Sequence, residues 1–143
     1  MISPMAAPVD VLRQVPLFSE LGDRELDHLA KHFKERTFPE GSQVTAEGHT
    51  GTGFFIVADG NATVSVSGEE RATLGPGDFF GEIALVDEGT RSATIVAATD
   101  LRCYGMTAWE FRPFVEEHPQ VAWPLLKQMA KRLREAQAHE HTH

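Results

Sequence analysis

The chain has 143 residues, of which 41% are hydrophobic and 24% are charged, and its formal net charge is −8 at pH 7. These values are typical of a folded globular protein and exclude a disordered chain. The acidic balance argues against nucleic acid as a partner, because nucleic-acid affinity comes largely from neutralising phosphates.

Length and residue usage also limit the possible domain organisation and location of the protein. A sequence of this length predicts a single domain over residues 1–143. Cys103 is the one cysteine, so an internal disulfide is impossible and a reducing compartment is compatible. The first ten residues lack the basic start and apolar run of a signal peptide, and no run of about 20 apolar residues predicts a membrane span. We therefore expect a cytoplasmic protein.

The N-terminal part of the sequence predicts helices over about 9–35. Val11, Leu12 and Val15 favour a short helix that the following proline ends. A longer helix is predicted over about 22–35, because its apolar residues follow steps of three and four. These residues are Leu26, Leu29, Ala30 and Phe33.

From residue 36 to about 106 the sequence predicts a β-rich barrel. Short runs rich in β-branched and aromatic residues alternate with turn pairs such as Asp59-Gly60 and Ser67-Gly68. Many short strands at this spacing are typical of a β-sandwich or jelly roll. The predicted strands are Thr37-Phe38, Gln43–Ala46, Phe54–Ala58, Ala62–Ser67, Ala72–Leu74, Thr94–Ala97 and Leu101–Met106.

The last third returns to a helical pattern, over about 107–139. A short helix is predicted from Thr107, then a break at His118-Pro119 and a longer helix that Pro124 is expected to kink or restart. Apolar residues in the longer helix recur in steps of four and three. The sequence leaves open whether this stripe packs on the chain's own barrel or forms the seam of a homodimer. Its members are Ala122, Leu126, Met129, Leu133 and Ala136.

One stretch within the barrel, FFGEIALVDEGTRSAT, suits a phosphate carried on a ribose. A short helix that begins at Gly81 leaves backbone N–H groups unpaired, and these attract an anion together with the amides of Ala84 and Ser92. Arg91 carries a planar fork of donors that matches phosphate oxygens. Glu82 only accepts hydrogen bonds, so it suits a hydroxyl such as a ribose 2′-OH and would repel the phosphate.

Within this stretch, FGEIAL at 80–85 and RSAT at 91–94 resemble the phosphate-binding segment of the cyclic-nucleotide-binding domain family, of the catabolite activator and protein kinase A regulatory subunit type. The resemblance implies an α+β, mainly β fold, namely a β jelly roll with N-terminal and C-terminal helices. It implies a cyclic nucleotide as the ligand and no cofactor. The binding residues that it implies are Phe80, Gly81, Glu82, Ile83, Ala84, Arg91, Ser92 and Ala93, with Val64 and Leu74 as apolar walls and Arg132 in the long helix reaching toward the nucleotide. Arg132 fits a solvated basic face with Lys127, Lys131 and Arg134 equally well.

The resemblance is less informative about the base than about the phosphate and the ribose. Members of the activator type carry a Thr-Ser pair on the long helix where this chain has Ala136 and Gln137. Recognition of adenine by that pair is therefore not expected, and an apolar group such as Leu133 is the expected cover, as in kinase-type members. Serine after the arginine is common in cAMP binders, so we expect cAMP, with cGMP as the alternative.

Other interpretations compete with a cyclic-nucleotide sensor. A metalloenzyme of the cupin type needs clustered His and carboxylate ligands on barrel strands, where the sequence offers only His49. His28 and His32 predict a solvated helix face, and the H-E-x-x-H pattern at 139–143 lies in a terminal tail. We therefore predict no metal, no catalytic residue and no enzyme activity. A nucleotide-free dimerisation module of the same fold remains the alternative.

We expect the protein to transmit the effect of ligand binding to another molecule. No DNA-reading, kinase or channel sequence follows the long helix, so we expect an unknown protein partner or self-association as a homodimer. In the expected mechanism, capture of the phosphate orders the binding segment, and the C-terminal helices shift to cover the base.

Overall fold

The computed structural model describes residues 8–45, 53–81 and 93–141. Its helices are α1 (Val9–Arg13), α2 (Asp23–Ala30), α3 (Ala108–Glu117) and α4 (Ala122–His141), with 3-10 turns at Pro16–Phe18 and Pro119–Val121. Its strands are β1 (Lys34–Phe38), β2 (Gln43–Thr45), β3 (Gly53–Asp59), β4 (Ala62–Val66), β5 (Glu69–Leu74), β6 (Phe79–Phe80), β7 (Thr94–Ala97) and β8 (Leu101–Thr107).

The described strands form two antiparallel four-stranded sheets. The first sheet has the order β1-β8-β3-β6 and the second the order β2-β7-β4-β5. Neighbouring strands are therefore mostly distant in sequence, as a jelly roll requires. Helices precede and follow the strands, which confirms the predicted mainly β jelly roll with helices at both ends.

The first sheet lies between two apolar clusters, and strand β3 contributes to both. Phe54 and Ile56 are fully buried in the cluster formed with the helices. Phe55 and Val57 belong to the cluster between the sheets. Side chains of a strand alternate between its faces, so an unbroken apolar run such as this one indicates a strand covered on both sides.

Aromatic packing holds the helical face of this sheet. The ring of Phe18, from the first 3-10 turn, makes edge-to-face contacts with Phe33 at 6.5 Å and with Phe54 at 5.8 Å between centroids. Helix α3 closes the same face and begins where the sequence predicts. Thr107 caps it, because its Oγ1 accepts a hydrogen bond from the Glu110 amide while the Glu110 side chain accepts one from the Thr107 amide.

Several limits of the elements differ from the sequence prediction; β1 and β5, for example, each begin three residues earlier than predicted. Helix α2 ends at Ala30 rather than near 35, because Lys34 already pairs with Gly105 of β8. Strand β6 was not predicted, since two residues give too short a pattern to detect. Helix α4 begins at Ala122, so Pro124 lies in its first turn, where a backbone N–H has no partner within the helix and the proline breaks no bond.

Helix α4 is only partly docked on the rest of the chain. Leu125 is buried, whereas Leu126 and Leu133 are 59% and 61% exposed. At these two positions the predicted stripe therefore does not pack on the chain's own barrel. None of the described helices combines the length and apolarity needed to cross a membrane.

Cys103 lies fully buried between the sheets. Burial raises the pKa of its thiol to about 12, because a thiolate loses its hydration there. The thiol therefore stays protonated at neutral pH and packs as a small apolar side chain, as the sequence predicts.

Gly60 fixes the turn between β3 and β4. Its φ is +88°, and a Cβ at this position would meet the Asp100 carbonyl oxygen at 2.2 Å. Gly68, in the turn between β4 and β5, has φ +79° with nothing within 4 Å. The two glycines share the backbone conformation and differ in available space.

We expect Gly60→Ala to destabilise the protein much more than Gly68→Ala. The Gly68 variant should lose about 1–2 kcal/mol from the left-handed backbone alone, and the Gly60 variant should lose that amount plus the cost of a backbone clash. Urea unfolding of both variants measures the difference. Equal losses would show that the turn at Gly60 relaxes without cost.

Candidate functional site

A tight turn places the start of the predicted binding segment. Asp78 Oδ2 accepts a hydrogen bond from the Gly75 amide at 2.8 Å, and the Gly77 amide donates to the Val57 carbonyl at 2.8 Å. The Val57 amide donates in turn to the Asp78 carbonyl at 2.8 Å. These hydrogen bonds join the turn to β3, and they therefore place the start of β6 beside β3.

Phe80 anchors the short strand β6. It pairs with Phe55 of β3, and the two rings stack at 5.2 Å between centroids with 25° between their planes. Gly81 follows with φ +86°, a conformation that favours glycine. The chain therefore leaves the edge of the first sheet at Gly81, immediately before the predicted phosphate and ribose ligands.

The other end of the segment is fixed on the second sheet. Ala93 directly precedes β7, and its carbonyl accepts a hydrogen bond from Thr45 Oγ1 at 3.3 Å. Thr45 lies in β2, which pairs with β7. Residues 82–92 therefore connect an edge strand of one sheet to a strand of the other.

The structure brings the predicted apolar wall together. Val64 of β4 lies opposite Ile95 of β7, and Leu74 of β5 lies opposite Ala62 of β4. Val64 and Leu74 pack against the cluster between the sheets that also contains Phe80. Three of the predicted binding residues thus belong to one apolar cluster, in which Phe80 is buried and Val64 and Leu74 are partly buried, and their contact with a nucleotide stays a prediction.

The polar half of the predicted site lies outside the described residues. This applies to Glu82, Ile83, Ala84, Arg91 and Ser92, and to the side chain of Arg132, whose backbone lies in α4. The roles of these residues stay predictions. Within 8–45, 53–81 and 93–141, no group of three His, Cys, Asp or Glu side chains is placed to hold a metal ion.

The sequence did not predict Thr45 as a residue that anchors one end of the binding segment. The bond from Thr45 to Ala93 joins residues 48 positions apart, and although Ala93 belongs to the RSAT motif, nothing in the sequence links Thr45 to it. Only the pairing of β2 with β7 brings them together, so no sequence signal was available to find it.

Comparison with known proteins agrees with this architecture. The sequence model of the cyclic nucleotide-binding domain matches residues 35–118. The cyclic AMP receptor protein of Thermus thermophilus is 36% identical over 126 residues, which cover 85% of this chain and 58% of that protein. The cAMP-dependent protein kinase regulatory subunit of Yarrowia lipolytica is 40% identical over 93 residues, 64% of this chain and 25% of that one.

A solved structure shows the same fold over nearly the whole chain. The N-terminal domain of a transcriptional regulator from Streptomyces coelicolor A3(2) superposes with a TM-score of 0.81 at 32% identity, covering 91% of this chain and 94% of that one. The fold is that of a ligand-binding β jelly roll with flanking helices. The chain belongs to the cyclic nucleotide-binding domain family, and it spans only part of the two curated relatives described above.

We expect Thr45→Val to loosen the second anchor of the site. The substitution keeps the shape of the side chain and removes the hydrogen bond to the Ala93 carbonyl, which should lower the free energy of unfolding by about 1 kcal/mol. Urea unfolding measures this loss. Thr73→Val, at an exposed position of β5, is the matched control and should leave stability unchanged within about 0.5 kcal/mol. Equal effects of the two substitutions would contradict an anchoring role for Thr45.

Proposed function

We propose that this chain is a cyclic-nucleotide sensor, with cAMP as the preferred ligand, that acts by binding rather than by catalysis. The observation that carries the proposal is the fixed position of both ends of the segment 82–92. Gly81 leaves the edge of one sheet, Ala93 enters the other, and the apolar surface of Val64, Leu74 and Phe80 lies between the sheets. The segment held at both ends carries the one glutamate and one arginine that match the family's motif.

Different residues are assigned to the phosphate, the ribose and the base of the ligand. Arg91 and the amides of the segment receive the phosphate, because both donate hydrogen bonds to an anion. Glu82 accepts a hydrogen bond from a ribose hydroxyl. The apolar surface contacts the base. The names of the relatives in Thermus and Yarrowia refer to cAMP, which supports cAMP as the first ligand to test. A cytoplasmic location is part of the same proposal.

Replacement of Arg91 tests the phosphate site. We expect Arg91→Leu to weaken cAMP binding by about 2–5 kcal/mol, because a desolvated phosphate loses its counter-charge. Calorimetric titration with cAMP measures the change. The control is Arg71→Leu, which removes the same charge from an exposed position of β5, where Arg71 lies 3.5 Å from Glu69. Unchanged cAMP affinity in the Arg91 variant would overturn the assignment.

The same titration repeated with cGMP and AMP defines the ligand. AMP has the base of cAMP, but its phosphate is not closed into a ring and carries more charge, so a site built for a cyclic phosphate should bind it much more weakly. A nucleotide-free module of the same fold predicts no heat with any of the three ligands. It also predicts no rise in melting temperature at about 1 mM cAMP or cGMP, where a sensor should be stabilised.

We propose self-association through α4 as the output, with an unknown protein partner as the alternative. Trp123, Leu126 and Leu133 are 70%, 59% and 61% exposed, and an adjacent groove of about 530 Å³ between α3 and α4 is lined in part by Met129 and Val115. Apolar side chains exposed together are typical of interaction surfaces.

A charged residue introduced on this surface tests whether the chain forms a homodimer through α4. We expect Leu133→Glu to weaken dimerisation at least about tenfold, because a carboxylate would have to be buried without a partner. Sedimentation of the chain with and without cAMP measures the dissociation constant. Ala138→Glu adds the same charge about 140° around the helix and should change nothing. A wild-type chain that stays monomeric under both conditions would exclude self-association and leave the protein partner.

A further inference from the structure

Two polar contacts fix the point at which α4 leaves the body of the protein. Glu20, in the turn before α2, accepts a hydrogen bond from Gln128 Nε2 at 2.7 Å and one from Lys127 Nζ at 3.2 Å. Each donor uses a different oxygen of the carboxylate. Among the described side chains of α4, these hydrogen bonds are the ones that reach another element, and both end on Glu20.

Gln128 marks the end of the docked part of the helix. Val121 and Leu125 are buried, and Gln128 follows on the same face with 8% of its surface exposed. A buried amide requires a hydrogen-bond partner, which Glu20 supplies. Met129 packs against the core cluster, and after it no described side chain of α4 is buried.

Glu20 is ionised at neutral pH. The hydrogen bonds from Lys127 and Gln128 lower its pKa below the ordinary value of 4.5. A carboxyl group whose pKa is lowered by folding stabilises the structure above its ordinary value, and this contribution is lost as the pH falls through the lowered one. The carboxylate is therefore ionised and able to accept both hydrogen bonds under physiological conditions.

The turn before α4 has separate attachments. Gln120 Nε2 donates to Glu25 Oε2 at 3.2 Å, and the rings of His28 and His118 meet edge to face at 4.8 Å between centroids. These contacts hold residues 118–121 against α2 and do not involve Glu20. Release of Glu20 would therefore leave α4 held by its base and by the apolar contacts of Leu125 and Met129.

We propose that Glu20 is a latch that holds α4 in its present position and thereby opposes nucleotide binding. The inference rests on the proposed function and on the expected mechanism, in which the C-terminal helices shift to cover the base. Leu133, the expected cover, is 61% exposed in the present position of the helix. Contacts that favour the present position reduce the apparent affinity for any ligand that needs another one.

Three variants of the full chain test the latch. Glu20→Ala removes both contacts. Glu20→Gln keeps an acceptor for Gln128 and removes the charge that faces Lys127. Asp27→Ala is the control, since it removes one negative charge from an exposed residue of α2 that makes none of the described contacts to α4.

Calorimetric titration with cAMP gives the first readout. We expect Glu20→Ala to bind cAMP roughly three- to tenfold more tightly than the wild type, Glu20→Gln to show a smaller gain, and Asp27→Ala to match the wild type. Equal or weaker binding by Glu20→Ala would overturn the latch, because Glu20 would then be a pivot that keeps its contacts in both helix positions.

Hydrogen exchange of the nucleotide-free protein gives a second readout that does not depend on ligand binding. Amides of residues 122–129 should exchange faster in Glu20→Ala and at the wild-type rate in Asp27→Ala. Unchanged exchange in Glu20→Ala would show that Glu20 does not hold the helix. A wild-type chain that binds no cyclic nucleotide would overturn the proposed function and the regulatory role together, whereas normal wild-type binding with an inert Glu20→Ala overturns the latch alone.

Discussion

The stacking of Phe80 on Phe55 is the interaction on which the candidate site depends. Strand β6 has two residues, too few to hold a place in a sheet by backbone pairing alone. The ring stack at 5.2 Å and the turn bound to β3 supply what the short pairing lacks. They fix where the chain crosses from one sheet toward the other, and therefore where the predicted phosphate and ribose ligands begin.

Side chains alternate between the two faces of the first sheet, so each face packs against a different apolar cluster. On β8, Tyr104 and Met106 pack with the helices, whereas Leu101 and Cys103 pack between the sheets. The apolar wall of the candidate site belongs to the second cluster, and the docked part of α4 belongs to the first. A single sheet is thus the physical boundary between the surface proposed to meet a ligand and the helices proposed to respond to it. Strands that both clusters share are one physical route for coupling between them.

Local patterns predicted the elements, and long-range pairings decided their limits. The strand Thr94–Ala97 and the helix after Thr107 follow from β-branched residues and a capping pair. The end of α2 depends on pairing with a strand about 70 residues away, which no local pattern contains. The role of Val64 and Leu74 as an apolar wall stays a prediction from the resemblance. The contact between Glu20 and Gln128 joins residues 108 positions apart, which no local pattern contains. Gln128 did carry one signal, since it is the polar member of a buried stripe with Val121 and Leu125.

Both tryptophans of the chain lie on the helices that flank the break at His118. Trp109 of α3 is 67% exposed and Trp123 of α4 is 70% exposed. Indole emission responds to the polarity around the ring, so each tryptophan reports on its own helix without an added label. The protein therefore carries intrinsic optical reporters on both sides of the break at His118, and replacing one indole by phenylalanine would assign a change in emission to the other.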